Sequence, residues 1–103
     1  MIVAFSVAPS GGGPADGSVH EAVAAAVRVV RASGLPHRTG AMFTEIEGEW
    51  DEVFAVVRGA VDAVVPYGAR VSLVLKADIR PGRSGELDGK LARLERALES
   101  SED

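Results

Sequence analysis

The chain contains no cysteine, which excludes disulfide bonds, thiolate metal ligands and cysteine nucleophiles, and fits a reducing compartment. It also lacks a basic excess, because 11 Lys and Arg residues face 15 Asp and Glu residues, for a net charge of −4. Proteins that bind nucleic acid neutralise phosphates with clustered Lys and Arg. The sequence therefore predicts no nucleic-acid partner and favours a neutral or cationic ligand.

Long hydrophobic runs are missing as well. The apolar opening Met1 to Pro9 is too short to span a bilayer, carries no basic residues and leads directly into a glycine-rich stretch. We expect a strand there, no membrane partner and a cytoplasmic location. With 103 residues, 47% of them hydrophobic, the chain is predicted to form a single domain over residues 1–99, followed by a polar tail over residues 100–103.

Sequence signatures of catalysis and metal binding are also lacking. The loop from Gly11 to Gly17 does not fit the dinucleotide-binding glycine pattern, because Asp16 stands where its third glycine belongs. We interpret it as a flexible loop that can close over a ligand. His20 and His37 have no partner at metal-ligand spacing. No Ser-His-Asp arrangement emerges, so we expect a binding protein without catalytic residues or a bound metal.

Hydrophobic periodicity divides the rest of the chain into strands and helices. Ser18 and Glu21 form a capping box at the start of a helix that Gly34 ends. Strict alternation over Arg70 to Arg80 is typical of a strand with unlike faces. The predicted elements, in order, are a strand over 2–8, a helix over 19–33, strands over 37–39 and 42–47 joined by a tight turn at Gly40 and Ala41, a helix over 49–64, a strand over 70–80 and a helix with Leu87, Leu91, Leu94 and Leu98.

This order predicts the α+β class, specifically a ferredoxin-like βαββαβ sandwich with an antiparallel four-stranded sheet and an extra C-terminal helix. In this fold the first and third strands are central neighbours, and the last strand flanks the first. Both main helices cover one face of the sheet. We expect the other face to be open, and apolar residues on it such as Val74 predict that a ligand or a second subunit covers it.

Four segments resemble the small thiamine-binding protein family (YkoF-like). They are M-I-V-A-F-S-V-A-P at residues 1–9, S-G-L-P at 33–36, M-F-T-E-I-E-G-E-W-D-E-V at 42–53, and the strand at 70–80. The resemblance implies the ferredoxin-like fold and assembly into homo-oligomers, dimers or tetramers, through the sheets. It also implies non-catalytic binding of thiamine or its hydroxymethylpyrimidine part, as a carrier, buffer or sensor.

The resemblance directs attention to groups that suit thiamine, which carries a permanent thiazolium cation and an aminopyrimidine. Hydroxyls and carboxylates can bond the pyrimidine, a carboxylate can neutralise the cation, and an aromatic face can contact it. Strand parity separates Thr44 from Glu47 and leaves open which of them faces the ligand. The predicted ligand-binding residues are Ser6 and Thr44 as hydroxyl donors, Glu47 and Asp78 as carboxylates, and Phe43 or Trp50 as ring faces.

Simpler interpretations of the same residues stay open. Ser6 and Thr44 can be ordinary sheet residues, and Trp50 can close the end of the core. Two other functions also remain: a regulatory domain resembling ACT modules that binds an amino acid between subunits, and a structural oligomerisation module. Binding of thiamine tested beside a panel of amino acids distinguishes them.

Overall fold

The computed structural model describes residues 1–11 and 19–101. Within them the chain forms four strands, three α-helices and one 3₁₀ turn. In chain order these are β1 (Ile2–Ser10), α1 (Val19–Ala32), β2 (His37–Thr39), β3 (Thr44–Glu47), α2 (Trp50–Val64), the 3₁₀ turn (Val65–Tyr67), β4 (Arg70–Asp78) and α3 (Glu86–Ser101).

The four strands form one antiparallel sheet in the order β2-β3-β1-β4. The first and third strands are central neighbours and the last strand flanks the first, which confirms the predicted ferredoxin-like arrangement. All nine residues of β1 pair with β4, whereas β3 pairs only with Ile2 to Phe5. This difference in pairing length sets the position of the site described below.

The core lies between the sheet and the two main helices. Alternate residues of β1 point into it because successive strand side chains face opposite sides of a sheet. The helices approach closely at Gly59, where an added Cβ would lie 3.0 Å from Cγ1 of Val29. The buried core consists of Val3, Phe5 and Val7 of β1, Ile46 of β3, Ala22, Ala26 and Val30 of α1, and Val53, Val56, Val57, Ala60 and Val64 of α2.

The β2–β3 connection is longer than predicted. The amide of Gly40 donates to the carbonyl oxygen of Phe43 at 2.9 Å, which closes a four-residue loop instead of a two-residue turn. The predicted strand over residues 42–47 is therefore wrong for Met42 and Phe43, which lie in the loop because pairing with β2 begins only at Thr44. The predicted cap at Ser18, and most of the glycine-rich loop, lie outside the described residues.

The face of the sheet opposite α1 and α2 is partly covered, which corrects the expectation that it is open. The N-terminal turn of α3 packs there, with Leu87 buried, while its residues from Leu91 to Ser100 are exposed. The helix includes Ser100, which the sequence analysis assigns to a polar tail. The start of α3 is held by side chains from the sheet.

Candidate functional site

A cavity of about 240 Å³ lies at the start of β3, where β1 continues past its pairing with Thr44. Beyond Phe5, β1 has no strand partner on its β3 side among the described residues. The β2–β3 loop and one face of α1 enclose the space. The lining residues are Phe5, Ser6, Val7 and Ala8 of β1, Val19, Val23, Ala26, Val27 and Val30 of α1, and Thr39, Gly40, Ala41, Met42, Phe43 and Thr44 of the hairpin.

The described lining of this cavity is uncharged. Its walls are largely apolar, with valines of α1 and the ring of Phe43. Polar groups come from the hydroxyls of Thr39 and Thr44 and from the strand backbone beyond Phe5. Ser6 borders the cavity through its backbone, because its side chain alternates with those of Phe5 and Val7 and takes the opposite side of the sheet. A mostly apolar hollow with a few hydrogen-bonding groups is the usual form of a small-molecule site. This arrangement suits a flat, neutral ring that carries donors and acceptors on its edge.

Two carboxylates of the sheet form polar contacts with α3. Glu47 is 6% exposed, and its side chain accepts hydrogen bonds from the backbone amides of Glu86 at 2.8 Å and Leu87 at 3.1 Å. These amides open the helix and have no partner within it, so a carboxylate there satisfies them and complements the helix dipole. Asp78 forms an ion pair with Lys90 of α3. The hydrogen bond from Lys90 lowers the pKa of Asp78 below its usual value, against the opposing effect of burial.

A second hollow of about 260 Å³ lies between α3 and the sheet. It is rich in charge, in contrast to the first cavity, and two of its charged groups, Asp78 and Lys90, already pair with each other. Its lining residues are Ile2, Ala4, Glu45, Lys76, Asp78, Leu87, Lys90 and Leu91.

The comparison with known families decides the classification. The sequence profile of the family described as "Thiamine-binding protein" matches residues 3–95, nearly the whole chain. The chain belongs to this thiamine-binding protein family. The resemblance inferred from the four sequence segments is thereby confirmed.

Relatives of this thiamine-binding family protein cover most of its length. A UPF0045 protein of Mycobacterium bovis is 52% identical over 99 residues, which are 95% of this chain and 94% of the relative. A solved hypothetical protein of Methanocaldococcus jannaschii has a TM-score of 0.79 at 30% identity, over 91% and 94% of the two chains. A Thermotoga maritima structure, described provisionally as a thiamine biosynthesis or salvage protein, has a TM-score of 0.70 at 25% identity, over 84% and 91%.

The structure of this family member places the six predicted ligand-binding residues in three separate locations, which are the uncharged cavity, the contacts with α3 and the start of α2. Ser6, Phe43 and Thr44 meet at the uncharged cavity. Glu47 and Asp78 contact α3 instead. Their roles in binding remain predictions.

The sixth predicted residue, Trp50, lies at the start of α2. Its side chain is 54% exposed and stacks on Phe54, with ring centroids 5.2 Å apart and planes at 14°. It therefore does not close the end of the core, and it lines neither the uncharged cavity nor the hollow beneath α3.

The register settles the question of strand parity. Thr44 pairs with Phe5 and therefore shares the side of the sheet that carries α1 and α2. Glu47 pairs with Ile2 and takes the opposite side, where α3 begins.

Sequence reasoning missed part of the cavity lining. It named none of Val23, Val27 and Thr39 as a ligand contact. A signal was nevertheless present, because the valines at positions 19, 23 and 27 follow one another at intervals of four and form one side of the helix. What the periodicity did not indicate is that this side faces a hollow where β3 is absent.

Two further properties concern only part of the chain. Within residues 1–11 and 19–101, no group of three or more His, Cys, Asp and Glu side chains is placed to hold a metal ion. None of the helices in those same ranges is both long and apolar enough to cross a membrane.

Proposed function

We propose that this protein binds thiamine through its hydroxymethylpyrimidine half, in the uncharged cavity between α1, β1 and the β2–β3 loop, without catalysing a reaction. One observation carries the proposal. β1 continues past its pairing with Thr44, and its backbone from Ser6 to Ala8 borders a hollow with apolar walls. An aminopyrimidine offers an amino donor beside a ring-nitrogen acceptor, and a strand edge offers the complementary N–H and C=O groups.

Size and charge favour the pyrimidine half over the whole of thiamine inside the cavity. Its volume of about 240 Å³ is below the range of about 300–1,000 Å³ typical of drug-sized ligands. A permanent thiazolium cation is costly to bury without a paired charge, and the described lining offers none. The thiazolium ring therefore extends toward solvent, where the net charge of −4 attracts it.

The comparisons support this class of ligand. Membership of the thiamine-binding protein family and similarity to a Thermotoga maritima protein linked to thiamine biosynthesis or salvage both point to thiamine chemistry. A binding protein without a reaction of its own carries, buffers or senses its ligand, and we place that role in the cytoplasm.

We also propose that the protein is a homo-oligomer, a dimer or a tetramer. β4 is one of the two edge strands of the sheet that the described residues form, and Val74 on it is 55% exposed. α3 exposes Leu91, Leu94 and Leu98 on one seam. Contiguous apolar surface beside an unpaired strand edge is typical of a protein interface.

Light scattering should give more than one subunit per particle, and Leu94→Glu should lower that number while the control Glu95→Gln leaves it unchanged.

Isothermal titration calorimetry tests the ligand. We expect heat with hydroxymethylpyrimidine and thiamine, and none with a panel of free amino acids. Thr44→Val and Thr39→Val should each weaken binding, because a hydrogen bond contributes about 0.5–1.5 kcal/mol, or roughly 2- to 12-fold in affinity. Ser72→Ala, at an exposed position on β4, is the matched control.

Three outcomes would contradict the proposal. Unchanged thiamine binding in both Thr44→Val and Thr39→Val would remove the cavity as the site. Loss of binding in Glu47→Gln with α3 still docked would instead favour the carboxylate that the sequence analysis assigned to the ligand. Amino-acid binding in place of thiamine would favour an ACT-like regulatory domain.

A further inference from the structure

A turn between β4 and α3 brings two arginines together. The amide of Arg83 donates to the carbonyl oxygen of Arg80 at 3.1 Å, so Pro81 and Gly82 form the corner of the turn. Gly82 has a φ of +77°, and proline followed by a residue with positive φ defines a type II turn. The first and last residues of such a turn lie within about 7 Å of each other at Cα. The two guanidinium groups therefore start from neighbouring positions.

Both arginines lie near one buried carboxylate without being saturated by it. The side chain of Glu86 is 8% exposed and accepts a hydrogen bond from Arg93. Arg80 and Arg83 stay 3.9 Å and 3.6 Å from Glu86, beyond hydrogen-bond distance. Among the described residues neither donates a hydrogen bond from its side chain, and both are about half exposed. Asp78, paired with Lys90, also attracts Arg80, so four cationic side chains surround the two carboxylates of Glu86 and Asp78 and leave a local surplus of positive charge.

The surplus charge borders a hollow of about 250 Å³. Trp50 and Ile79 supply apolar surface, and Phe54 stacked on Trp50 restricts the orientation of the indole. The hollow lies at the Met1 end of β1, and the uncharged cavity lies toward the other end of that strand. Its lining residues are Met1, Gly48, Glu49, Trp50, Ile79, Arg80, Pro81, Gly82 and Arg83.

A carboxylate in the lining does not cancel the two arginines. Glu49 precedes α2 and forms a reciprocal capping box with Glu52, so its charge faces the amides that open the helix. The guanidinium N–H groups of Arg80 and Arg83 therefore stay available, and a guanidinium group can donate two parallel hydrogen bonds to the oxygens of a phosphate.

We propose that this hollow is a second binding site, for an aromatic phosphate monoester. The phosphate binds between Arg80 and Arg83, and the ring lies against Trp50 and Ile79. Two guanidinium groups select the phosphate over an uncharged polar group, and the indole selects an aromatic ester over inorganic phosphate. The site does not depend on the pyrimidine cavity, and the test below uses no thiamine compound.

The chain contains one tryptophan, so its fluorescence reports on this hollow alone. Phenyl phosphate is the probe, with phenol and inorganic phosphate as the two halves of its chemistry. We expect phenyl phosphate to change Trp50 emission saturably. Inorganic phosphate should displace it only at higher concentration, and phenol should have no saturable effect. Raised salt should weaken the binding.

Charge-neutral variants locate the site. Arg80→Gln and Arg83→Gln should each lower the affinity for phenyl phosphate about tenfold or more, because each removes a charge-assisted hydrogen bond. Arg96→Gln, on the exposed part of α3, is the matched control and should bind as the parent does. Circular dichroism and thermal unfolding check that the variants fold.

Each contrary result would overturn the proposal. The first is the absence of a saturable response to millimolar phenyl phosphate. The second is binding of phenol as tight as that of phenyl phosphate. The third is parental affinity in the Arg80→Gln, Arg83→Gln double variant. If either single variant unfolds, Arg80→Lys takes its place, since it keeps the charge and loses the fork; unchanged affinity there would remove the bidentate contact.

Discussion

The side chain of Glu47 accepts a 2.8 Å hydrogen bond from the backbone amide of Glu86, 39 residues further along the chain. A carboxylate on β3 thus fixes the first turn of α3. The contact is buried and joins the sheet face opposite α1 and α2 to the only helix on that side among the described elements. Glu47 is therefore the buried polar anchor of α3, beside the apolar contact of Leu87 and the ion pairs of Asp78 with Lys90 and of Arg38 with Asp88.

Substitution of Glu47 should loosen α3. Glu47→Gln replaces one acceptor oxygen by an amide donor that cannot bond a backbone N–H, so a buried amide loses its partner. We expect a loss of about 1–3 kcal/mol in the free energy of unfolding, measured by urea denaturation, and faster hydrogen exchange in α3. Glu45→Gln, on the same strand and the same face, is the control. Equal stability of the two variants would refute the anchoring role.

Stability should depend on pH through Glu86. The hydrogen bond from Arg93 lowers the pKa of Glu86, burial opposes the shift, and the charges of Arg93, Arg80 and Arg83 add to it. A lowered pKa in the folded state contributes stability that is present above the unfolded-state pKa and is lost as the pH falls through the folded-state value.

Substitution of Arg93 isolates this contribution. We expect Arg93→Gln to unfold more easily than the parent at neutral pH and to lose less stability on acidification. Denaturation curves recorded from neutral to acid pH measure both effects, with Arg96→Gln as the charge-matched control. Parallel pH profiles for the parent and Arg93→Gln would show that the ion pair contributes nothing.

Filling the uncharged cavity should abolish pyrimidine binding. Val23 of α1 lines the cavity and is partly exposed. Val23→Phe therefore places a larger side chain in the cavity and reduces the space for a ligand, with little effect on the core. We expect more than a tenfold loss of thiamine affinity by calorimetry, with the free energy of unfolding changed by less than about 1 kcal/mol. Val65→Phe, at an exposed position outside the cavity, should bind as the parent does. Retained affinity in Val23→Phe would place the ligand elsewhere.

The Arg80–Arg83 turn should tolerate a side chain at Gly82 poorly. A β-carbon at positive φ costs about 1 kcal/mol, although there is open space around this glycine. Gly34→Ala meets the same conditions, at a φ of +76°, and is the control. Thermal unfolding should record a similar loss in both variants. Only Gly82→Ala should weaken phenyl phosphate binding, and equal affinities would mean that the turn does not position the arginines.

The sequence was sufficient to predict the sheet order and the placement of α1 and α2, because hydrophobic periodicity reports which side of each element is buried. The nearly continuous run of small and β-branched residues from Ile2 to Ala8 assigned all of β1 except its last two residues. It did not predict where β3 begins, since Met42 and Phe43 are as apolar as strand residues. The loop there is determined by a hydrogen bond across the hairpin, which leaves no mark on hydropathy.

Prediction of the site was limited by long-range relations. The sequence identified Thr44, whose hydroxyl lies at the cavity, and Ser6, whose backbone borders it. The resemblance to the thiamine-binding family assigned Glu47 to the ligand because a carboxylate can accept from the amino group of the pyrimidine. That role stays a prediction, and the structure adds that Glu47 bonds the start of α3. The position of α3 depends on contacts with the sheet that form after an intervening loop. No local sequence pattern encodes these contacts.

The late start of β3 at Thr44 has an evolutionary consequence. The groove beside Ser6 exists because two neighbouring strands differ in length, and only part of it is made by side chains. Two further hairpin residues that paired with β1 would close this groove, and the removal of two hairpin residues would widen it. Insertions and deletions at this hairpin, more than point substitutions, are therefore expected to tune which small molecules each member of the lineage accepts.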